Sequence, residues 1–594
     1  MRDRTVPQRR AALVACVAAL GLVASGCASL PASSAPQAIG TVARGPVEQE
    51  LPVPAAGREP NLLVRDFVKA STDPADDHAG ARQFLTANAA SEWNDGASAI
   101  VVDKVDVLED SRSSDAAQYT IRANRVGQLD QGGQYRAEQG SFETQVTLAR
   151  EDGEWRIDEL PSGVVMDRTQ FLTSYQRKSL YFVDPTGTEL VPDQRWVNTT
   201  QDRMTETLTA LLQAGPRLSL EPAVRNVFNG VTTAGPITKA DGRTSAVGIG
   251  LGGVRIDFRG AGALDRATRE LLAAQIIWTL AEAEVSGPYV LLSDGAPLDP
   301  NYPDGWTTAE VAEFDPLAVT GADVGLHALR NGGLVRIGTD GVTPVPGYFG
   351  TVNNMRSISL SSDGTLVAAV SDTGRAAPQP PDALLIGSYG GNAFPVAEGG
   401  SITRPTWGPD RDAVWAVVDG TVVKRAVRDP ATGQVSVVDV DSADIAELGG
   451  QITELRLSRD GVRAALIVDG AVYVAVVVRR ADGTYALREP EAVANGLASA
   501  ALSLDWSTGD TVVVARAATD IPIVQVAVDG SRLDGLPSRN LTAPVVSVDA
   551  SASSTYVADS RAVFQIDDSD PASDRYWREV PGLTGTKSVP VLPG

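Results

Sequence analysis

The chain is short of the residues that most often build sites. In 594 residues it has two cysteines, two histidines and four methionines. Both cysteines, Cys16 and Cys27, fall within the first 27 residues. No disulfide framework can therefore hold the remainder together, and its stability must come from packed cores. His78 and His327 lie in different predicted domains, so the paired histidines of a zinc site are missing, and each reads as a surface or loop residue. Aromatic residues are sparse at 5 %. Positive charge is scarce too, with 51 Lys and Arg against 74 Asp and Glu and a net charge of −23. That balance argues against nucleic acid as a partner and against direct adsorption to anionic lipid; it reads as solubility. There is no G-x-S-x-G elbow for a serine nucleophile. The N-terminal apolar run, Ala11 to Ser25, is shorter than the roughly 20 residues that cross a bilayer.

What that run offers is a signal. Arg2, Arg4, Arg9 and Arg10 precede it, and Leu22-Val23-Ala24-Ser25-Gly26-Cys27 closes it. A basic stretch, an apolar stretch and small residues before a cut form an export signal, and its end resembles the bacterial lipobox. The resemblance implies cleavage between Gly26 and Cys27, an S-diacylglycerol on the Cys27 thiol and an N-palmitoyl group on the new amine. One acyl chain holds a protein to a membrane only marginally, whereas two or more hold it stably. Residues 1–26 are thus expected to be a lipoprotein signal peptide. Residues 27–60, rich in Ala, Pro, Ser and Gly, are expected to be a tether.

Three domains are expected beyond the tether. In 61–175, Leu62, Leu63, Phe67 and Val68 predict a helix, Phe84 and Leu85 a second, and alternation through Ile100–Val102, Tyr119–Ile121 and Thr144–Leu148 an antiparallel sheet. Asp152-Gly153 predicts a hairpin turn. This is an α+β arrangement. In 176–310, strands are predicted at Leu180–Val183, Val254–Phe258 and Tyr289–Leu292, with helices through Met204–Leu212 and about Ala263–Glu284, again α+β. From 311 to 594 the chain reads as all β. Ile358-Ser359-Leu360-Ser361-Ser362-Asp363-Gly364 matches Leu455-Arg456-Leu457-Ser458-Arg459-Asp460-Gly461. Weaker copies carry Asp410 and Asp510, and the four aspartates are 47, 50 and 50 residues apart. That period fits one four-stranded propeller blade per repeat and about six blades, with Leu326–Ile337 completing the ring.

No catalytic residue, cofactor site or metal site emerges. Gly248-Ile249-Gly250-Leu251-Gly252-Gly253 fits G-x-G-x-x-G, but a dinucleotide site needs a helix to follow. Here strand alternation follows, and a Gly-rich hairpin is expected. Asp439, Asp441 and Asp444, and Asp567, Asp568 and Asp570, lack the distal Glu of a calcium loop and read as solvated charges. Trp407, Trp415, Trp506 and Trp577 recur near repeat positions and read as blade packing rather than sugar stacking.

The segments Leu180–Asp184, Leu190-Val191-Pro192, Leu211–Pro216 and Val254–Phe258 resemble the GerMN domain of sporulation and germination proteins. With a lipobox, a small α+β domain and a propeller around it, the whole chain resembles the LpqB family of actinobacterial lipoproteins. The resemblance implies anchoring by acylated Cys27 on the extracytoplasmic face of the cell membrane. It also implies binding to the ectodomain of a sensor histidine kinase, MtrB-like, in the MtrA–MtrB two-component system. Signalling there bears on cell-wall metabolism and division. It implies no enzyme activity. The alternatives are a binder of cell-wall glycan or peptidoglycan, and a propeller hydrolase with convergent carboxylates in its funnel.

Overall fold

The computed structural model describes residues 53–130, 132–318, 324–567, 569–571 and 575–594. Gly26, Cys27, the signal peptide and most of the tether lie outside them. The first helix, α1 (Pro60–Ala70), opens with proline at a position where the missing N–H costs nothing. It buries Leu63, Val64, Phe67 and Val68 on one face. After α2 (Ala75–Arg82) the chain leaves the helix before Phe84 and Leu85. Their expected helix is corrected by strand pairing. The Phe84 carbonyl accepts from Ile157 N at 2.9 Å, and Leu85 bridges Ile157. Next come α3 (Ala87–Glu92) and the strands β1 (Ala99–Arg112), β2 (Ala116–Asp130), β3 (Gln134–Glu151), β4 (Glu154–Glu159) and β5 (Val164–Asp167). The sheet order is β4-β3-β2-β1-β5, with β5 parallel to β1. Asp152 and Gly153, at φ 52° and 83°, make the tight β3–β4 turn. Val101, Tyr119, Ile121, Val146, Leu148 and Ile157 pack against α1 in one core.

The middle domain follows α4 (Arg168–Ser174). The hairpin β6 (Gln176–Val183) and β7 (Leu190–Val197) pairs in register from Gln176↔Val197 to Val183↔Leu190. Helix α5 (Gln201–Ala214) buries Met204, Leu208 and Leu212 and ends at Gly215, φ 97°. Strands β8 (Thr232–Thr233), β9 (Val254–Arg259), β10 (Tyr289–Ser293) and β11 (Ala296–Pro297) form a sheet ordered β11-β10-β9-β8. Helix α6 (Arg266–Glu282) crosses between the parallel β9 and β10. The Gly-rich segment belongs to a long loop rather than a tight hairpin turn: Ala240 N donates to Gly252 O and Thr238 bridges Arg255 antiparallel, while regular strand pairing begins at Val254. Its last glycine is obligatory. Gly253 sits at φ +62°, and a Cβ there would stand 2.2 Å from the Pro288 carbonyl oxygen, which accepts from Val254 N. Gly253→Ala is expected to cost more than about 1 kcal/mol, read as a lowered denaturant midpoint with unchanged slope.

The C-terminal region is six four-stranded sheets. Each innermost strand touches the next, and the closing strand touches that of the second sheet, so the sheets form a ring. Strands His327–Arg330, Gly333–Gly338 and Gly341–Pro344 are joined by Ser588–Val591, which pairs His327↔Val591. First and last segments thus share one blade, and the expected closure at Leu326–Ile337 holds. The sequence period reappears as a bonding ladder between blades. Trp407 Nε1 donates to Ser359 O at 3.2 Å, and Trp506 Nε1 to Arg456 O at 2.9 Å. Each bond spans one repeat, and both indoles are buried, as packing residues should be.

Candidate functional site

Two features stand out, and both lie where the middle domain meets the propeller. The first is strand β7, every residue of which is buried. Pro192 O accepts from Arg463 Nη2 at 2.6 Å. Gln194 Nε2 and Ser179 Oγ both donate to Asp510 Oδ2, at 2.7 and 3.2 Å. Trp196 Nε1 donates to Asp529 Oδ2 at 3.1 Å. On its other side the strand holds the first domain. Trp196 N donates to Gly133 O at 2.7 Å, at the tip of the β2–β3 hairpin, and its ring lies 4.7 Å from that of Phe171. Between them Asp193, fully buried, is clamped by Arg195 at 2.6 Å and Arg217 at 3.1 Å. Burial works to raise this carboxyl, but the two guanidiniums outweigh it and hold it below the ordinary range. One eight-residue strand therefore fixes three domains to each other.

The second feature is the axial chamber of the propeller. A cavity of about 140 Å³ lies at the turns that follow the innermost strands, bounded across from them by Glu189, Leu190 and Pro192. Beneath it is a buried ionic cluster. Arg404 pairs with Glu454 at 2.9 Å and Asp549 at 3.5 Å. Arg456 pairs with Asp505 at 3.0 Å and donates to Pro405 O at 2.9 Å. Asp549 also accepts from Leu592 N, and Asp505 from Ala550 N. Burial and the neighbouring Asp505 charge push the Asp549 carboxyl well above its ordinary value. Burial would raise Asp505 as well, but Arg456, the hydrogen bond with Asp549 and Arg404 hold it down at about 2. The two carboxyls therefore titrate as a pair, with the negative charge favoured on Asp505.

These residues were not legible as a site. Asp460 and Asp510 stand out in sequence only as repeat markers, yet Asp510 bonds the middle domain. One signal was available: this copy reads Gly509-Asp510 where others read Asp-Gly. Gly509 faces Pro192, with room for a Cβ only 3.0 Å from its ring. The residues weighed earlier fall elsewhere. His327 is not a surface residue; it is 1 % exposed, because a blade-closing strand covers it, and its Nε2 bonds Tyr389 OH at 2.7 Å. His78 stands edge-on to Trp93. Asp441 and Asp444 pair with Arg488, and Asp439 with Lys424. Asp570 pairs with Arg578, and Asp568 lies outside the described residues. The Gly248–Gly253 loop leads into strand β9, not a helix. Among the described residues no group of three His, Cys, Asp or Glu could hold a metal, and no helix is long and apolar enough to cross a membrane.

Three family models match in the order of the domains. Residues 53–172 match "Lipoprotein LpqB, N-terminal domain", 179–299 match "Sporulation and spore germination", and 332–593 match "Lipoprotein LpqB beta-propeller domain". The chain is 62 % identical to Lipoprotein LpqB of Rhodococcus jostii over 99 % of this chain and 100 % of that one. Identity to Lipoprotein LpqB of Nocardia farcinica is 51 %, over 98 % of each chain. Identity to that of Mycobacterium tuberculosis is 44 %, over 97 % and 98 %.

Proposed function

The chain belongs to the LpqB lipoprotein family, and on that premise we propose that it is an extracytoplasmic regulatory lipoprotein, anchored through acylated Cys27, that docks on the ectodomain of an MtrB-like sensor histidine kinase and modulates signalling tied to cell-wall metabolism and division. The observation that carries the reading is the locking of three domains by β7. A partner then meets one preformed surface, and little ordering cost is left at binding. Anchoring both proteins in one membrane raises their effective concentration. The ionic cluster supports binding over hydrolysis. A glycosidase needs carboxyls free to reach a substrate, whereas Asp505 and Asp549 are buried and engaged by arginines and backbone N–H groups.

Crosslinking in intact cells, read by mass spectrometry, tests this. Crosslinks to a sensor-kinase ectodomain are expected for the native chain. Cys27→Ser should abolish acyl labelling, release the chain from the membrane fraction and strongly reduce those crosslinks. Crosslinks to wall-processing proteins alone, with co-sedimentation on purified wall, would replace this reading with the wall-binding one.

A further inference from the structure

Three stretches of the propeller that are distant in sequence meet at His327. It begins the first strand of the closing blade, and pairs with Arg336 in the next strand and with Val591 in the strand that shuts the ring. Its Nε2 lies 2.7 Å from Tyr389 OH, in the neighbouring blade, and the two rings stand edge to face at 5.5 Å. Its Nδ1 lies 3.1 Å from the Gly325 carbonyl oxygen. These contacts fix the tautomer. A carbonyl oxygen only accepts, so Nδ1 carries the hydrogen. Nε2 is then an acceptor, and the Tyr389 hydroxyl donates to it.

Both ring nitrogens are thus spent on the neutral imidazole, in a residue that is almost wholly buried. A proton added at Nε2 turns an acceptor into a donor facing the hydroxyl hydrogen of Tyr389. It also creates a charge where water does not reach, and among the described residues the charged side chain acting on it is Arg336, of like sign. Burial lowers the imidazole from its ordinary 6.5; the Gly325 bond works the other way and Arg336 adds to the lowering, with a net change downward. We infer that His327 is an acid-sensitive clasp on the propeller: when it takes up a proton, the joint between the closing blade and its neighbour loosens, and the strand Ser588–Val591 is the first to be released. The sign follows from linkage. A histidine with a lowered folded value contributes stability that is fully present above the unfolded value and is lost as pH falls toward the folded one.

The test compares the full-length lipoprotein in detergent with its His327→Gln variant from about pH 7.5 down to about pH 5, the range in which histidine titrates. The chain has two histidines, so protein isotope-labelled only at histidine shows two imidazole NMR signals, and the variant assigns them. His327 is expected to hold its Nδ1–H form below the ordinary histidine midpoint. The unfolding equilibrium constant of the native chain, relative to the variant, should rise as pH falls, by up to about tenfold per unit. The distant carboxyl cluster is common to both chains and cancels. Hydrogen exchange, corrected for its intrinsic pH dependence, should show Ser588–Val591 losing protection at the acid end in the native chain and not in the variant. Tyr389→Phe keeps the imidazole but removes the donor to Nε2, and should raise the His327 midpoint; it carries the test if His327→Gln does not fold. An ordinary or raised midpoint for His327 in the native chain overturns the inference. So does a difference from His327→Gln that does not change with pH, acid-induced exchange at Ser588–Val591 that persists in that variant, or a midpoint that Tyr389→Phe leaves unmoved.

Discussion

Arg456→Ala is expected to lower the unfolding free energy by about 3–5 kcal/mol, the cost of stranding a buried charge whose partner is removed. Arg456 is 4 % exposed and holds Asp505 from below while bonding the Pro405 carbonyl of the preceding blade. Its loss leaves Asp505 facing Asp549 with Arg404 alone. Asp549→Asn should behave in the opposite way, because burial and the neighbouring Asp505 charge already disfavour the charged form of this carboxyl. The linkage has a definite sign. Asp549 has a folded value raised above its unfolded one, so its contribution is fully present below the ordinary carboxylate range and is lost as pH rises toward the folded value. Asp505, held at about 2 against 3.8, stabilises above 3.8 and loses that contribution as pH falls toward 2. As pH rises above the ordinary carboxylate range, the stability of Asp549→Asn relative to the native chain should therefore climb, by up to about 1.4 kcal/mol per unit. Denaturant unfolding monitored by tryptophan fluorescence at several pH values measures both variants. A flat difference would mean that burial and Asp505 do not raise the Asp549 carboxyl.

The propeller was legible because its repeat is physical. A residue in one blade bonds a residue about one period later, as Trp506 does with Arg456 and Trp407 with Ser359, so turn and strand residues recur at that spacing. Helices α1 and α5 were legible because each packs one apolar face, α6 because it is a long apolar run buried on all sides, and the Asp152-Gly153 hairpin because its turn demands positive φ. Phe84 and Leu85 were misread. Local apolar pattern cannot distinguish a helix from a turn that borrows the backbone of β4, more than 70 residues on. The cluster and the seam were not legible at all. Arg404, Glu454, Asp505 and Asp549 lie on four different blades or their connections, and in sequence each is one charged residue among many. Strand β7 carries Asp193, Gln194 and Arg195, three consecutive polar residues on both faces of the strand, and only three domains closing on it make them interior.

Trp196→Ala should have the second large effect, and it tests whether the three domains behave as one. The indole is 3 % exposed, packs at 4.7 Å and a 42° tilt against Phe171 of the first domain and donates to Asp529 of the propeller. Truncating a buried tryptophan costs about 3–5 kcal/mol. Here the loss falls on contacts between domains rather than within a core, so cooperativity should fail along with stability. Native chain is expected to unfold in a single transition. In Trp196→Ala the first domain should melt ahead of the propeller, and protease should cut near Tyr175 under native conditions. Trp196→Phe separates the two halves of the contact: it keeps a ring against Phe171 but gives up the bond to Asp529, and should cost about 1–3 kcal/mol. If Trp196→Ala lowers stability and still unfolds in one step, the domains are coupled through the other β7 contacts, Arg463 to Pro192 and Asp510 to Gln194. A variant with separate transitions but undiminished kinase crosslinks would show that one domain suffices for docking, and the fixed three-domain surface would then not be what the partner reads.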